Sequence, residues 1–192
     1  MKRIAAIAFV LTAMAVGTPV QTQSSITSLS RKACRELKAD PNDNLLYRGR
    51  CPGVGGYKLE ILAGEEHEYI ELITPAGKHF DVGINPASYS FVGKTAEWRM
   101  RTGKPYALII PYRLNRPDNR SSTTSLVVSK ISAGSACVTD VVEPSRDQRA
   151  KARKLADQPR PLRLGPAHHR PRVHPGKWVL WTRHDTAGHA AV

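Results

Sequence analysis

His67, His79 and Glu97 are the residues of this chain whose types could move protons. An imidazole and a carboxylate within hydrogen-bond reach of one substrate atom would supply general acid–base catalysis. If the protein is a periplasmic enzyme, these three are the acid–base groups to consider, and they would have to converge in one pocket. The surrounding patterns argue against a familiar site. His67-Glu68-Tyr69-Ile70-Glu71 begins like the zinc motif H-E-x-x-H, which sets two histidines four apart on a helix. Its fifth position is glutamate, and the stretch alternates as a strand, so His67, Tyr69 and Glu71 share one polar face. No G-x-S-x-G nucleophile elbow is present. Cys137 with a distant His79 could be read as a thiol and its base, but nothing in the sequence would lower the thiol pKa. Cys51-Pro52-Gly53-Val54-Gly55-Gly56 is glycine-rich, yet it leads into a strand and lacks the lysine of a phosphate loop. It is expected to be a tight turn. No catalytic, cofactor-binding or metal-ligating residue is assigned, and no cofactor is expected.

The cysteines carry a different chemistry. The chain has three: Cys34, Cys51 and Cys137. It opens with Lys2 and Arg3, an apolar run from Ile4 to Gly17, and small residues that include Ala13-Met14-Ala15. This order is that of a secretory signal peptide, assigned here to residues 1–23. The mature chain is therefore expected to be periplasmic or secreted, where disulfides persist. Cys34 and Cys51 are close in sequence and are the expected pair. A loop of that size stabilises by about 3 kcal/mol in the chain-entropy model. Three is odd, so Cys137 is expected to stay unpaired. No later segment is long and apolar enough to cross a membrane.

The elements that would position these groups read mostly as strands. Residues 24–44 are polar and mixed, a segment tied down by Cys34. The β region is expected to begin near Leu45. Tyr57 to Ile61 alternates apolar and charged, and His67 to Thr74 sets Ile70 and Leu72 on one face. His79 to Ile84 follows a Pro75-Ala76-Gly77 turn. Lys94 to Arg101 is the clearest period-two stretch: Ala96, Trp98 and Met100 point one way, Thr95, Glu97, Arg99 and Arg101 the other. The charged side is expected to face water and Trp98 to anchor the core. A hairpin at Thr102–Pro105 leads to Tyr106–Ile110, and strands are expected at Ser125–Ser132 and Val138–Val142. Ser145-Arg146-Asp147-Gln148 has the form of a capping box, and Gln148, Ala152, Leu155 and Ala156 follow at helical spacing. Pro159 and Pro161 end that helix. The expected fold is α+β: a mostly antiparallel sheet of about six or seven strands with one C-terminal amphipathic helix, forming a single domain over residues 24–157.

Three stretches taken in order resemble a set of short, secreted proteobacterial proteins of unknown function. They are CPGVGGY at 51–57, AEWRMRTGKPYALI at 96–109, and CVTDVVEPSRDQRAKARKLAD at 137–157. The resemblance covers Cys34 to Asp157 and implies no activity. Members of that set often carry a histidine after the late cysteine, where this chain has Val138, and a further cysteine soon after the A-D, which this chain lacks. Such a cysteine would account for Cys137.

Residues 158–192 change in character. They hold six Lys/Arg against Asp185 alone, and five of the seven histidines: His168, His169, His174, His184 and His189. The histidine spacing is irregular and no cysteine joins it, so no specific metal site is expected. The excess of arginine, proline, histidine, glycine and alanine is what GC-rich DNA yields out of frame. This segment is therefore expected to be a disordered, frameshifted or replaced ending. The formal net charge of +13 favours anionic envelope components. A nucleic-acid partner is not expected, although the basic tail could bind an anionic polymer. The function expected is a non-enzymatic binding or inhibitor-like module with an envelope or extracellular ligand.

Overall fold

The computed structural model describes residues 22–38, 44–86, 89–115 and 121–159. Residues 1–21 and 160–192 lie outside the described residues. The readings of the cleavage site and of the histidine-rich ending fall there.

Two antiparallel sheets and one helix make up the described residues. The first sheet contains β1 (Thr22–Ser28), β8 (Thr95–Arg101), β9 (Lys104–Asn115), β10 (Ser122–Ile131) and β11 (Ala136–Val142), in that order. Within it β7 (Ser90–Val92) pairs with the far half of the long β9. The second sheet runs β2 (Arg35–Glu36), β3 (Tyr47–Pro52), β4 (Lys58–Ala63), β5 (Glu68–Ile73) and β6 (His79–Asp81). The α+β architecture is as expected, with eleven strands rather than six or seven. The additional strands are β1, β2, β3 and β7. β2 and β7 have two or three residues, too few to display a period, and β3 reads YRGRCP, whose inward positions Tyr47, Gly49 and Cys51 give little apolar signal. β1 reads TQSSITS, with no apolar alternation, and is held by its pairing to β8. Thr22 and Gln23, placed above in the leader, already pair with Arg101 and Met100.

The inner faces of the two sheets share one core. Leu59, Ile61, Ile70 and Leu72 come from the second sheet; Trp98, Leu108, Ile110, Tyr112 and Val127 come from the first. Trp98 has no exposed surface, and its indole Nε1 donates to Thr27 Oγ1 at 2.9 Å. The alternation that sends Trp98 inward sends Glu97 and Arg99 to the other side.

That other side is not open to water. The helix α1 (Gln148–Asp157) lies over it, and Ala152 and Ala156 pack on Ala107, Ile109, Leu126, Val128 and Val142. The molecule is therefore layered as second sheet, first sheet, helix. The capping box is not formed: Asp147 is the N-cap and makes no side-chain capping bond. Gln148 instead donates from Nε2 to the carbonyls of Thr124 at 2.7 Å and Val142 at 2.9 Å, stitching the first turn to the sheet. A register shift between Arg99 and Met100 leaves Tyr106 as the extra residue of β9. A bulge of this kind re-aims a side chain, and Tyr106 turns towards α1 beside Ala107.

Candidate functional site

His67, His79 and Glu97 lie in three separate places. His79, on β6, is exposed on the outer face of the second sheet, where its Nδ1 meets Glu71 Oε2 at 2.9 Å. His67 precedes β5, and its Nδ1 is 3.1 Å from Ser90 Oγ, with Glu66 Oε2 at 3.9 Å from Nε2. Serine, histidine and glutamate are the types of a nucleophilic triad. Ser90, however, has no exposed surface, so its hydroxyl could not meet a substrate. The pair joins β5 to β7, together with the bond from Val92 N to Glu68 Oε2 at 2.9 Å.

Glu97 is 4% exposed and sits between β1 and α1. Its Oε1 accepts from Ser24 Oγ at 2.7 Å and from Arg153 Nε at 2.6 Å, and its Oε2 from Arg149 Nη1 at 3.2 Å. Burial pushes its pKa up, but the bonds from Arg153 and Ser24 and the two guanidinium charges outweigh burial and leave it below the usual range. A carboxylate held in this way is an anchor, not a poised acid. Arg99, 8% exposed, reaches Asp157 and donates from its Nη1 to Ser24 Oγ at 2.5 Å. Glu97 and Arg99 thus grip the first strand and the last helix at once, and the expectation that they face water is corrected by α1 lying over them.

Lys130, 6% exposed, completes the seam. Its Nζ donates to the carbonyls of Leu155 at 2.9 Å and Gln158 at 2.8 Å, and to that of Ala156. These are the orphan acceptors of a helix C-terminus. Cys137 stands opposite Lys130 in the β10–β11 register, half-buried and without a disulfide. Burial raises its thiol pKa, which disfavours the thiolate that nucleophilic chemistry needs. Cys34 and Cys51 are disulfide-bonded. The glycine-rich turn that follows Cys51 has Gly55 and Gly56 at φ of 59° and 82°. A Cβ at Gly53 would lie 2.3 Å from Tyr57 O, so the turn closes only with glycine there.

The outer face of the second sheet is different in kind. Glu60 has no exposed surface, although no described element packs over that face. Two arginines from β3 cover it: Arg48 Nε donates to Oε1 at 2.6 Å, and Arg50 Nη2 to Oε2 at 2.7 Å. Burial raises the Glu60 pKa, but the bonds from Arg50 and Arg48 prevail and the carboxyl ends below its ordinary value. Across the sheet the register sets Arg50, Glu60, Glu71 and Asp81 side by side on four strands. Tyr69 and Leu62 form the neighbouring pair. Of Arg48, Arg50 and Glu60, only Glu60 lay in a stretch read as alternating, and neither arginine stood out in the sequence. Their union depends on a register that only the folded sheet displays.

Among the described residues no group of three His, Cys, Asp or Glu side chains could hold a metal ion, and no helix is long and apolar enough to cross a membrane. A depression beside α1, lined by Thr95, Glu97, Ile109, Pro111, Leu126 and Arg149, has a volume of about 220 Å³ including the solvent at its mouth. Ligand pockets begin at roughly 300 Å³. Comparison of the chain with models of protein families, with curated proteins and with solved structures gives no match. The functional reading rests on the geometry alone.

Proposed function

We propose that the protein is an exported, non-enzymatic binding module whose recognition surface is the outer face of the second sheet. The observation that carries this reading is the asymmetry of the sandwich. One outer sheet face lies under α1, while the other has no described element over it and presents Arg48, Arg50, Tyr69, Glu71 and His79. A preorganised sheet face of mixed charge with an aromatic is suited to recognition, because its side chains are fixed by cross-strand partners before a ligand arrives. The disulfide and the leader-like N-terminus support export to an oxidising compartment. Three separated locations for His67, His79 and Glu97 favour binding over acid–base chemistry.

The test is photo-crosslinking in intact cells. The full chain would carry a photoreactive phenylalanine analogue in place of Tyr69, or, as a control, in place of Ala150 on α1. A discrete adduct from position 69 that position 150 does not give supports the reading. Equal labelling from both positions, or none from position 69, sinks it.

A further inference from the structure

The positive charge of the molecule is unevenly placed. Arg146, Arg149, Lys151, Arg153 and Lys154 fall within nine residues on or just before α1, and all five are exposed. One buried carboxylate, Glu97, answers two of them, Arg149 and Arg153. Lys151 meets Asp147 at 2.9 Å. Arg146 and Lys154 have no ion-pair partner among the described residues. Asp157, the remaining acid of the helix, is turned onto Arg99. On the outer face of the second sheet the arginines of β3 meet Glu60, and the register sets two further acids, Glu71 and Asp81, beside it. The surplus therefore belongs to the helix side.

Shape decides what such a surplus can meet. The helix lies along the surface of the first sheet as a convex ridge, with Ala150 exposed between its long basic side chains. A linear polyanion is held in a groove lined from both sides, and the depression beside the ridge is small and contains Glu97. A ridge of cations fits a plane of phosphates. Of the apolar residues of α1, Ala152, Leu155 and Ala156 face the sheet and only the small Ala150 is exposed, so no bulky apolar residue remains to insert among acyl chains. We propose that the solvent face of α1 is a peripheral docking surface for an anionic phospholipid bilayer, bound by charge alone. It lies on the side of the molecule opposite the proposed recognition face, so either can fail without the other.

The test is co-sedimentation of the full chain with vesicles of phosphatidylglycerol and phosphatidylcholine, against vesicles of phosphatidylcholine alone. Binding is expected only to the anionic vesicles, and it should vanish between roughly 0.05 and 0.5 M salt as screening tightens. The double variant Arg146→Glu/Lys154→Glu should bind about tenfold or more weakly, since each cation near such a surface counts. Arg35→Glu/Lys58→Glu on the other side should bind as the unmodified chain does. The basic segment 160–192 is present in every variant, so a loss on reversal reports α1. Circular dichroism checks the fold, and Arg146→Gln/Lys154→Gln replaces the reversal should it unfold. Undiminished binding by the helix variant overturns the proposal, as does binding of inorganic polyphosphate without binding of vesicles.

Discussion

Arg99 and Asp157 form a two-point ion pair, Nε to Oδ1 at 2.9 Å and Nη2 to Oδ2 at 2.7 Å. It joins the middle of β8 to the last residue of α1. The hydrogen bond to Asp157 holds the Arg99 pKa above its ordinary value, against burial. Burial raises the Asp157 pKa, but the bonds from Arg99 and Tyr106 lower it further than burial raises it. A helix that packs on its sheet through two buried alanines and one half-buried leucine has little apolar area to hold it there. Its attachment must come from such polar contacts.

Asp157→Asn should therefore cost more than an ordinary surface change. Arg99 would remain nearly buried with its charge only partly answered by Ser24 Oγ. Breaking a fully buried pair costs about 3–5 kcal/mol. Asp157 is about a third exposed, so screening reduces this to roughly 1–3 kcal/mol. Urea unfolding would measure it, and a loss below about 0.5 kcal/mol would show that the pair does not hold the helix. Tyr106→Phe removes one bond to the same carboxylate and should cost about 1 kcal/mol.

Lys130→Met keeps the length of the side chain and removes the ammonium that three helix carbonyls share. A hydrogen bond to a charged group contributes about 1.5–3 kcal/mol, and a cation at this end also meets the helix dipole favourably. The expected outcome is a stability loss of about 2 kcal/mol. Amide exchange should quicken at the C-terminal turn of α1 and remain slow in β9 and β10. Uniform quickening across the sheet would instead place Lys130 in global stability.

Acid should unfold the protein in a defined way. Glu60, Glu97 and Asp157 all have depressed folded-state pKa values. A depressed carboxyl binds fewer protons folded than unfolded, so its stabilisation is fully present above the unfolded value of about 4 and is lost as pH falls through the folded value. The melting temperature should be flat from about pH 5 upward and should fall steeply below about pH 4. Glu60→Gln removes one titrating carboxylate, so the variant should be less stable at neutral pH and lose less on acidification. A variant with the full acid slope would contradict the ion triad on the second sheet.

Much of this scaffold was legible as period, and little of it as partnership. The alternation around Trp98 placed β8 and its inward face correctly, because a half-buried strand imposes a period of two on its own residues. Pro159 stopped the helix for an equally local reason. β1 gave no such signal: Ser24 and Thr27 are ordinary polar residues until β8 brings Glu97 and Trp98 beside them. Glu97 and Arg99 looked like a solvated face because nothing local says that residues 50 to 60 positions later will cover them. The four-residue spacing of Arg149 and Arg153 was a usable sign, since it sets both guanidiniums on one flank of a helix. The Glu60 triad needed the β3–β4 register, which the sequence does not display.

The three cysteines should separate cleanly by reactivity. Cys34 and Cys51 are joined and both are buried, so alkylation of the native chain should add one group, at Cys137. That reaction should be slow at pH 7 and accelerate above the ordinary thiol range of about 8.5, because burial holds Cys137 in its neutral form. Unfolding and reduction should expose all three. Closing the 17-residue separation between Cys34 and Cys51 restricts the unfolded chain, so Cys34→Ala/Cys51→Ala should cost about 3 kcal/mol, whereas Cys137→Ser should cost less than about 1.5 kcal/mol at its half-buried site. Mass spectrometry of the native adduct reads the first expectation, and urea midpoints read the second. Two or more groups added without reductant would show that Cys34 and Cys51 are not linked in solution. The anchoring of residues 30–34 onto β3 would then need another cause.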